Sequence, residues 1–207
     1  MPVIIGLTGF RHSGKSTISR HLQEAHGFGS VHAFNGGKAA CRAYFMHLGA
    51  TPETAAAMVD GDLRDVPSRL LPLISHPDGS SDHATPRYFM EMFGNFMGQT
   101  LGSDWTLGAE IRRHMEVFPG RNMVADSVVY EVDLIRNLGG IIVKVEREGA
   151  RPTGLKTDPV VANIVPDMVI RNSGDDLREL LRKIDSDVMA RIADRLIGAA
   201  DAGAPSP

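Results

Sequence analysis

The sequence predicts an α/β fold in which helices cover both faces of a parallel sheet. Short apolar runs rich in valine and isoleucine alternate with longer segments of helical periodicity along the 207 residues. That alternation is the pattern of βαβ units, and no internal repeat interrupts it. Because ligands of open parallel sheets bind beyond the carboxyl ends of the strands, functional residues are expected at those ends.

Five apolar runs predict the strands, and most segments between them predict helices. The strands are expected at 3–8, 31–34, 122–127, 140–145 and 165–170. The helices are expected at 15–25, 37–48, 86–100, 104–117, 130–138 and 175–197. Thr85 and Pro86 supply a cap and a first-turn proline for one of these helices. Residues 61–85 are expected to form an exposed loop, and the tail 198–207 to be disordered.

The composition suits a globular chain and argues against several classes of protein. Apolar residues make up 43% of the chain and charged residues 23%, and the length suits one domain, expected over 1–197. The net charge of −3 gives no global attraction to nucleic acid or anionic lipid, although it does not exclude a local basic groove. No apolar run reaches the roughly 20 residues of a membrane span, and the start lacks signal-peptide features. With a single cysteine, Cys41, a cytoplasmic location is expected.

Residues 9–16, GFRHSGKS, match the phosphate-binding pattern G-x-x-x-x-G-K-[ST] in full. A strand is expected before this stretch (the P-loop) and a helix after it, as the pattern requires. Glycines let backbone N–H groups turn inward around a phosphate, Lys15 places a charge on the β- and γ-phosphates, and Ser16 can ligate Mg²⁺. We therefore expect a nucleoside triphosphate, ATP, with Mg²⁺. Its binding residues are expected to be Gly9, Arg11, His12, Ser13, Gly14, Lys15, Ser16 and Thr17.

Three classes of P-loop protein compete at this point. A switch GTPase needs an N-K-x-D motif, which the sequence lacks, and a motor-type ATPase normally has a strand that ends in Asp-Glu, where this strand ends Asp126-Ser127. A small-molecule kinase needs cationic side chains on a mobile flap. Residues 145–159 supply Arg147 and Arg151 in a segment broken by glycine and proline. This pattern favours the kinase class, although a solvated basic loop would have the same composition.

Five blocks of the sequence resemble, in order, those of phage-type deoxynucleoside monophosphate kinases. They are IGLTGFRHSGKST, FNGGKAACRAYF, TPRYFMEMFGNFMGQTLGSDWT, VADSVVYEVDLIRNLGGIIVKVERE and DMVIRNSGDDLREL. The resemblance implies transfer of the ATP γ-phosphate to a deoxynucleoside monophosphate, giving the diphosphate and ADP. It also implies a three-layer P-loop kinase fold with a five-stranded parallel sheet, a lid at about 147–160 and an acceptor-binding helical insertion at about 50–117.

The same resemblance implies roles for residues outside the P-loop. Catalysis would involve Lys15, Asp126 and Arg147. Asn172 would lie by the adenine of ATP, and the acceptor would be bound by Lys38, Arg87, Asp104, Trp105 and Arg151. Plainer explanations stay open for some of them, since Trp105 also suits a core and Asn172 also suits a turn with Gly174. A homodimer is possible, and a phage-encoded chain would work in the host cytosol.

The identity of the acceptor stays open because the sequence departs from the family pattern. The family has Asp-Val-Arg where this chain has Asp126-Ser127-Val128, so an expected arginine is missing. An altered acceptor, such as a 5-hydroxymethyl pyrimidine in phage DNA, would fit that change, although the net charge argues mildly against nucleic acid. A kinase similar to dephospho-coenzyme A kinase is a further option, but FNGGK lacks the acidic residue expected there. A non-enzymatic nucleotide-gated module has no supporting motif.

Overall fold

The computed structural model describes residues 2–75, 78–154, 156–173 and 176–193. The strands in these ranges are β1 (Ile4–Thr8), β2 (Gly29–Val31), β3 (Leu73–Ser75), β4 (Ser81–His83), β5 (Met123–Ala125), β6 (Ile141–Arg147) and β7 (Met168–Asn172). The helices are α1 (Lys15–His26), α2 (Asn35–His47), α3 (Pro52–Asp60), α4 (Pro86–Leu101), α5 (Ser103–Val117), α6 (Val132–Asn137), α7 (Asp158–Asn163) and α8 (Leu177–Lys183). A π-helical segment, Ile184–Val188, follows α8, and a 3₁₀ turn covers Asp62–Asp65. The predicted disordered tail 198–207 lies outside the described residues.

The chain divides into two compact units. The first comprises Met1–His32 and Ile111–Pro207, and the second comprises Ala33–Glu110. In the described ranges, no helix is both long and apolar enough to cross a bilayer.

A five-stranded sheet, entirely parallel, forms the centre of the first unit. Its strand order is β2-β5-β1-β6-β7, and each neighbouring pair runs in the same direction. The central strand β1 is buried along its whole length, as expected for a strand covered on both faces. The α/β class and the five-stranded parallel sheet predicted from the sequence are therefore confirmed.

Alternate residues of β1 face helices on opposite sides of the sheet. Ile5 and Leu7 belong to one buried cluster with Ile18 of α1 and Leu180 of α8. Gly6 points the other way, where a Cβ atom would come within 2.8 Å of the Ile135 side chain of α6. Since successive side chains of a strand point to opposite faces, these contacts give the three layers, helix–sheet–helix.

The second unit is a small helical body with its own core. Helices α2, α3 and α4 bury apolar side chains against one another: Cys41, Phe45, Ala55, Met58, Val59 and Met90. Strands β3 and β4 pair as an antiparallel hairpin, so the prediction of an exposed loop at 61–85 was wrong in part. Helix α3 was not predicted, although the Thr51 hydroxyl caps its first turn at the Thr54 N–H and Pro52 is its first residue. The same Thr-Pro signal was used correctly at α4.

Two strands of the first unit lie a few residues from their predicted positions. β7 was expected at 165–170 but runs from Met168 to Asn172, because Pro166 has no N–H for a ladder and Asp167 bridges to β6 instead. The Asp167 carboxylate accepts from the Ile142 N–H at 2.7 Å. β2 was expected at 31–34 but ends at Val31. Its start at Gly29 lies where a side chain would overlap the imidazole of His114.

Candidate nucleotide-binding site

The P-loop connects the carboxyl end of β1 to the first turn of α1. Gly9 has a φ of 137° and Gly14 a φ of 108°, values that L residues rarely adopt. A Cβ atom at Gly9 would overlap the Val145 carbonyl oxygen, and one at Gly14 would lie 2.7 Å from Asn172 Nδ2. Backbone angle therefore requires glycine at both positions, and at Gly9 a fixed backbone carbonyl also excludes a side chain. His12 also has a positive φ, 63°, so the loop holds one strained residue that is not glycine.

Polar groups in and beside the P-loop are arranged to receive an anion. The first N–H groups of α1 have no acceptor within the helix, and together with the helix dipole they favour a phosphate. The Ser13 hydroxyl is buried, and it finds no hydrogen-bond partner in the part of the chain that the structure describes. The Thr8 hydroxyl, directly before the loop, is also buried without a hydrogen-bond partner among the described residues. Unpaired buried hydroxyls cost free energy, and a bound phosphate oxygen would offer Ser13 an acceptor.

Lys15 spans the mouth of the P-loop. Its ammonium donates to the Gly9 carbonyl at 2.7 Å and to the Phe10 carbonyl at 2.8 Å. Burial lowers the Lys15 pKa, the nearby Asp126 carboxylate opposes that effect, and the Arg11 guanidinium adds to it. The loop therefore holds a desolvated ammonium, whose attraction for an anion exceeds that of a hydrated one.

Asp126 reaches the P-loop through the register of the sheet. β5 pairs with β1 so that Ala125 lies opposite Gly6, and Asp126 follows at the carboxyl edge where β1 enters the loop. Its electrostatic coupling to Lys15 brings two of the predicted catalytic residues together. Asp126 therefore lies just after a strand end, as the sequence predicted, and its role toward a ligand stays a prediction.

The segment after Asp126 explains what stands in place of the missing arginine. Ser127 has a φ of 63°, and the Val128 N–H then donates to the Leu7 carbonyl at 2.9 Å. The Val128 side chain is buried, so this position packs against the sheet. Glu131, which sequence reasoning missed, is also buried, and its carboxylate accepts from the Val129 and Tyr130 N–H groups. A buried glutamate that accepts from the N–H groups one and two residues before it leaves no recognisable pattern in the sequence.

Arg147 ends β6 beside the P-loop. Its guanidinium donates to the His12 carbonyl over 3.4 Å, and the side chain is otherwise exposed. A cavity of about 350 Å³ lies between the loop and the segment after β6, lined by Gly9, Phe10, Ser13, Lys144, Val145, Glu146, Arg147, Ala150 and Ala162. The predicted catalytic arginine therefore lies at the opening of the candidate site, whereas Arg151 is exposed.

The segment predicted as a lid is anchored at its far end. Helix α7 begins at Asp158, whose buried carboxylate accepts from the Thr153 N–H at 2.7 Å. The exposed residues 147–149 and 151–154 lie between two fixed points, Val145 of the buried sheet and Asp158. The lid at about 147–160 therefore stays a prediction.

Asn172, predicted beside adenine, makes a hydrogen bond to the P-loop backbone in the structure. Its side-chain amide donates to the Ser13 carbonyl at 2.9 Å and lies against Gly14. The predicted turn with Gly174 falls on a residue outside the described ranges. The place by adenine that the family resemblance implies for Asn172 stays a prediction, and the resemblance did not show that its amide contacts Ser13.

The predicted acceptor residues all belong to the second unit, apart from Arg151. The Lys38 ammonium pairs with Asp60 at 2.7 Å. Both Nε and Nη2 of Arg87 donate to the Asp65 carboxylate, the second at 2.7 Å, and this pairing holds the pKa of Asp65 below its usual range. These ion pairs are substantially exposed and contribute little stability.

Trp105 and Asp104 lie at the start of α5. The Trp105 side chain is 55% exposed, which excludes burial in the core and leaves its ring open to a ligand. Asp104 is also exposed. The same unit carries stacked aromatic pairs that sequence reasoning did not single out, with Tyr44 parallel to Phe89 at 5.4 Å and Phe93 stacked on Phe96 at 6.4 Å.

Sheet order, P-loop and following helix together define an α/β fold with a five-stranded parallel sheet and a phosphate-binding sequence pattern between β1 and α1. No protein-family model matches the chain, and no curated protein sequence matches it. Among solved structures, TT1252 from Thermus thermophilus is similar with a TM-score of 0.45 and 15% identity, over 92% of this chain and 97% of that one. Shikimate kinase from Aquifex aeolicus overlaps with a TM-score of 0.38 and 12% identity, over 92% and 99% of the two chains. Similarity at this level assigns no activity to the chain.

Proposed function

We propose that the protein transfers the γ-phosphate of ATP to a deoxynucleoside 5′-monophosphate, giving the diphosphate and ADP. The observation that carries the phosphoryl-transfer part is the grouping of Lys15, Asp126 and Arg147 around one glycine-lined loop. Phosphoryl transfer needs positioning and charge stabilisation more than covalent chemistry. A desolvated ammonium, a carboxylate and a guanidinium beside inward-facing amides meet that need.

Each residue of the site has a distinct task in this proposal. The P-loop amides and Lys15 bind the β- and γ-phosphates, and the Ser16 hydroxyl, first-turn and exposed, would hold Mg²⁺ with Asp126 nearby. The ion supplies charge neutralisation on the phosphates when bound. Arg147 is placed to stabilise charge on the transferred group, and the residues after it are proposed as a lid that excludes water.

The acceptor part of the proposal depends on the sequence blocks from Thr85 to Trp105 and on the residues of the second unit. Arg87 is our choice for the acceptor phosphate, because a guanidinium fork matches two phosphate oxygens. Asp65 already engages that fork at two points, so a phosphate would compete with a carboxylate of the same geometry. The exposed indole of Trp105 is available to stack on a base.

A polymeric acceptor is the second candidate, and Val128 is the observation that favours it. A buried valine occupies the position where an arginine is expected for a monophosphate acceptor, so one cation of that acceptor site is replaced by packing. Phosphorylation of a 5-hydroxymethyl pyrimidine in DNA would need less of that charge near the acceptor. A small-molecule acceptor similar to dephospho-coenzyme A is compatible with the P-loop, but no described residue specifically favours it.

The decisive experiment measures ATP consumption against a panel of acceptors. The panel contains each deoxynucleoside and ribonucleoside monophosphate, dephospho-coenzyme A and a DNA containing 5-hydroxymethyluracil, assayed over a salt series. We expect turnover on one or more deoxynucleoside monophosphates with little salt dependence. Turnover confined to DNA, falling steeply as salt rises, would replace the first proposal by the second.

Arg87→Ala then tests the assignment of the acceptor phosphate. We expect a higher acceptor KM or a lower kcat, with ATP binding measured alone unchanged. Arg69→Ala, an exposed arginine of the same unit, is the matched control and should behave as wild type. Asp65→Ala separates the two explanations: if it reproduces the Arg87→Ala defect, Arg87 acts only through its ion pair and the assignment fails.

A further inference from the structure

Three side chains of types that can ligate a metal, two of them from the second half of α1, converge away from the P-loop. His21 Nε2 is 2.6 Å and His26 Nε2 is 2.7 Å from the same oxygen, Oδ1 of Asp185. One ligand atom from each of the three residues lies within 4.8 Å of the other two. All three residues belong to the first unit. Sequence reasoning gave these residues no role.

The local backbone explains why these side chains meet. His26 is the last residue of α1, where Gly27 ends the helix with a φ of 67°. Asp185 lies in the π-helical segment after α8, whose flanking residues Ile184 and Val188 are buried. A π-type turn contains an extra residue, and such turns are frequent at functional sites. Here it directs the Asp185 carboxylate out of the buried stripe and toward α1.

The two imidazoles are already held in place. Their side chains are only 17% and 23% exposed, and the rings pack edge to face with centroids 5.5 Å apart. The conformational entropy of ordering them has therefore been lost on folding, and a ligand would not have to impose it again. Asp185 is more open, with 47% of its side chain exposed, so water and ions can reach the cluster.

The donor set fits a borderline first-row cation such as Zn²⁺. Imidazole nitrogen and carboxylate oxygen are both zinc ligands at about 2.0–2.1 Å, and tetrahedral ligands at that distance stand about 3.3 Å apart. The present N–O separations of 2.6 and 2.7 Å would have to open by only about 0.6 Å. Mg²⁺ is a poor fit, because it prefers oxygen ligands in octahedral geometry.

Electrostatics also favours a cation at this place. The carboxylate of Asp185 offsets part of the charge of a divalent ion. The carboxyl-terminal end of a helix carries partial negative charge, and His26 occupies that end of the 12-residue α1. With a rise of 1.5 Å per residue, His21 and His26 are roughly 9 and 16 Å along the helix from Lys15, so the cluster is separate from any Mg²⁺ held by Ser16.

We propose that His21, His26 and Asp185 form a binding site for Zn²⁺ or a similar first-row divalent cation, completed by water. Bound there, the ion joins the carboxyl-terminal end of α1 to the helix that follows β7. Its effect is to stabilise the first unit where α1 packs against the segment after α8, whose Ile184 and Val188 share a buried cluster with Leu22. The site does not depend on the identity of the phosphoryl acceptor.

The test uses the full chain without a histidine tag, freed of metal by a chelator and dialysed. Calorimetric titration with Zn²⁺ should give one ion per chain, and Zn²⁺ should raise the Tm of the wild type. Co²⁺ in place of Zn²⁺ should produce visible ligand-field bands that Zn²⁺ removes. A large excess of Mg²⁺ should leave the affinity for Zn²⁺ unchanged.

Variants locate the ion. Asp185→Asn keeps a hydrogen-bond acceptor for the histidines, and His26→Gln keeps a polar side chain, so both should fold. Each should weaken Zn²⁺ binding by at least about tenfold, the lower end of the loss seen when a group that supports a metal is removed. His47→Gln, an exposed histidine of the second unit, is the control and should bind as wild type. Absence of Zn²⁺ binding to the wild type, or equal affinity in all four proteins, would refute the proposed site.

Discussion

Replacement of Lys15 by alanine is the sharpest test of the nucleotide site. The Lys15 ammonium makes two hydrogen bonds, to the carbonyls of Gly9 and Phe10, and burial lowers its pKa. A hydrogen bond to a charged group contributes about 1.5–3 kcal/mol, so loss of one such contact in the transition state should reduce kcat/KM about 10- to 150-fold. Two contacts would multiply that loss.

The same structure predicts a small effect of Lys15→Ala on folding. The substitution removes two hydrogen bonds from the ammonium to loop carbonyls, but it also recovers the desolvation cost of a buried charge, so the two effects on the free energy of unfolding oppose each other. We therefore expect Lys15→Ala to unfold at a denaturant concentration close to that of wild type. Lys183→Ala, which removes an exposed pair with Glu179, is the matched control and should keep full activity.

The assay is the release of ADP with the best acceptor of the panel, with denaturant unfolding measured on the same samples. If Lys15→Ala kept more than about a tenth of wild-type kcat/KM, the charge would contribute under about 1.4 kcal/mol and its proposed role would be wrong. If the variant lost its fold, Lys15→Met, which keeps the length of the apolar stem, would replace it in the same comparison.

Two further predictions concern charge at other positions. Arg147→Ala should lower kcat more than it weakens ATP binding, because the guanidinium, which donates to the His12 carbonyl, is proposed to reach the transferred group only on closure; a loss confined to ATP affinity would contradict this. Burial, followed by the charges of Arg121 and Arg113, lowers the pKa of His114, so the folded protein resists the protonation that the unfolded chain undergoes below about pH 6.5. The free energy of unfolding should therefore fall on acidification from pH 7.5 to 5.5, and urea titrations should show a smaller fall in His114→Gln. An unchanged fall in His114→Gln, matching that of His47→Gln, would refute the assignment.

Local sequence patterns predicted the parts of the site that depend on neighbouring residues. The strand before Gly9 and the helix after Gly14 occur where the P-loop pattern placed them, because turn, phosphate loop and helix start are all encoded within a few positions. Asp126 was placed correctly at a strand end because parallel strands bring their carboxyl ends to one edge.

Contacts between distant segments were beyond the sequence. The amide of Asn172 meets the Ser13 carbonyl across 159 residues, and nothing near Asn172 encodes that partner. The ion pair of Arg87 with Asp65 likewise joins residues that are 22 positions apart in the sequence. β7 begins later than its predicted span because Pro166 cannot donate to the ladder, and its pairing with β6 then sets the register, with Val143 opposite Met168. Tertiary pairing of this kind overrides local preference.

The position of the second unit within the chain has a consequence for folding. Arg121 donates to the Gly27 carbonyl across 94 residues, and β2 pairs with β5 at the same place, so residues 33–110 form one long excursion between two neighbouring strands. Closing a flexible loop costs free energy that grows with the logarithm of its length, about 0.6 kcal/mol for each doubling, and such distant pairings form slowly. Any collapse of residues 33–110 into their own helical core shortens the flexible path that must close. The second unit contributes no strand to the five-stranded sheet. Even so, the pairing of the three-residue edge strand β2 is the step of sheet formation that depends most on how that unit folds.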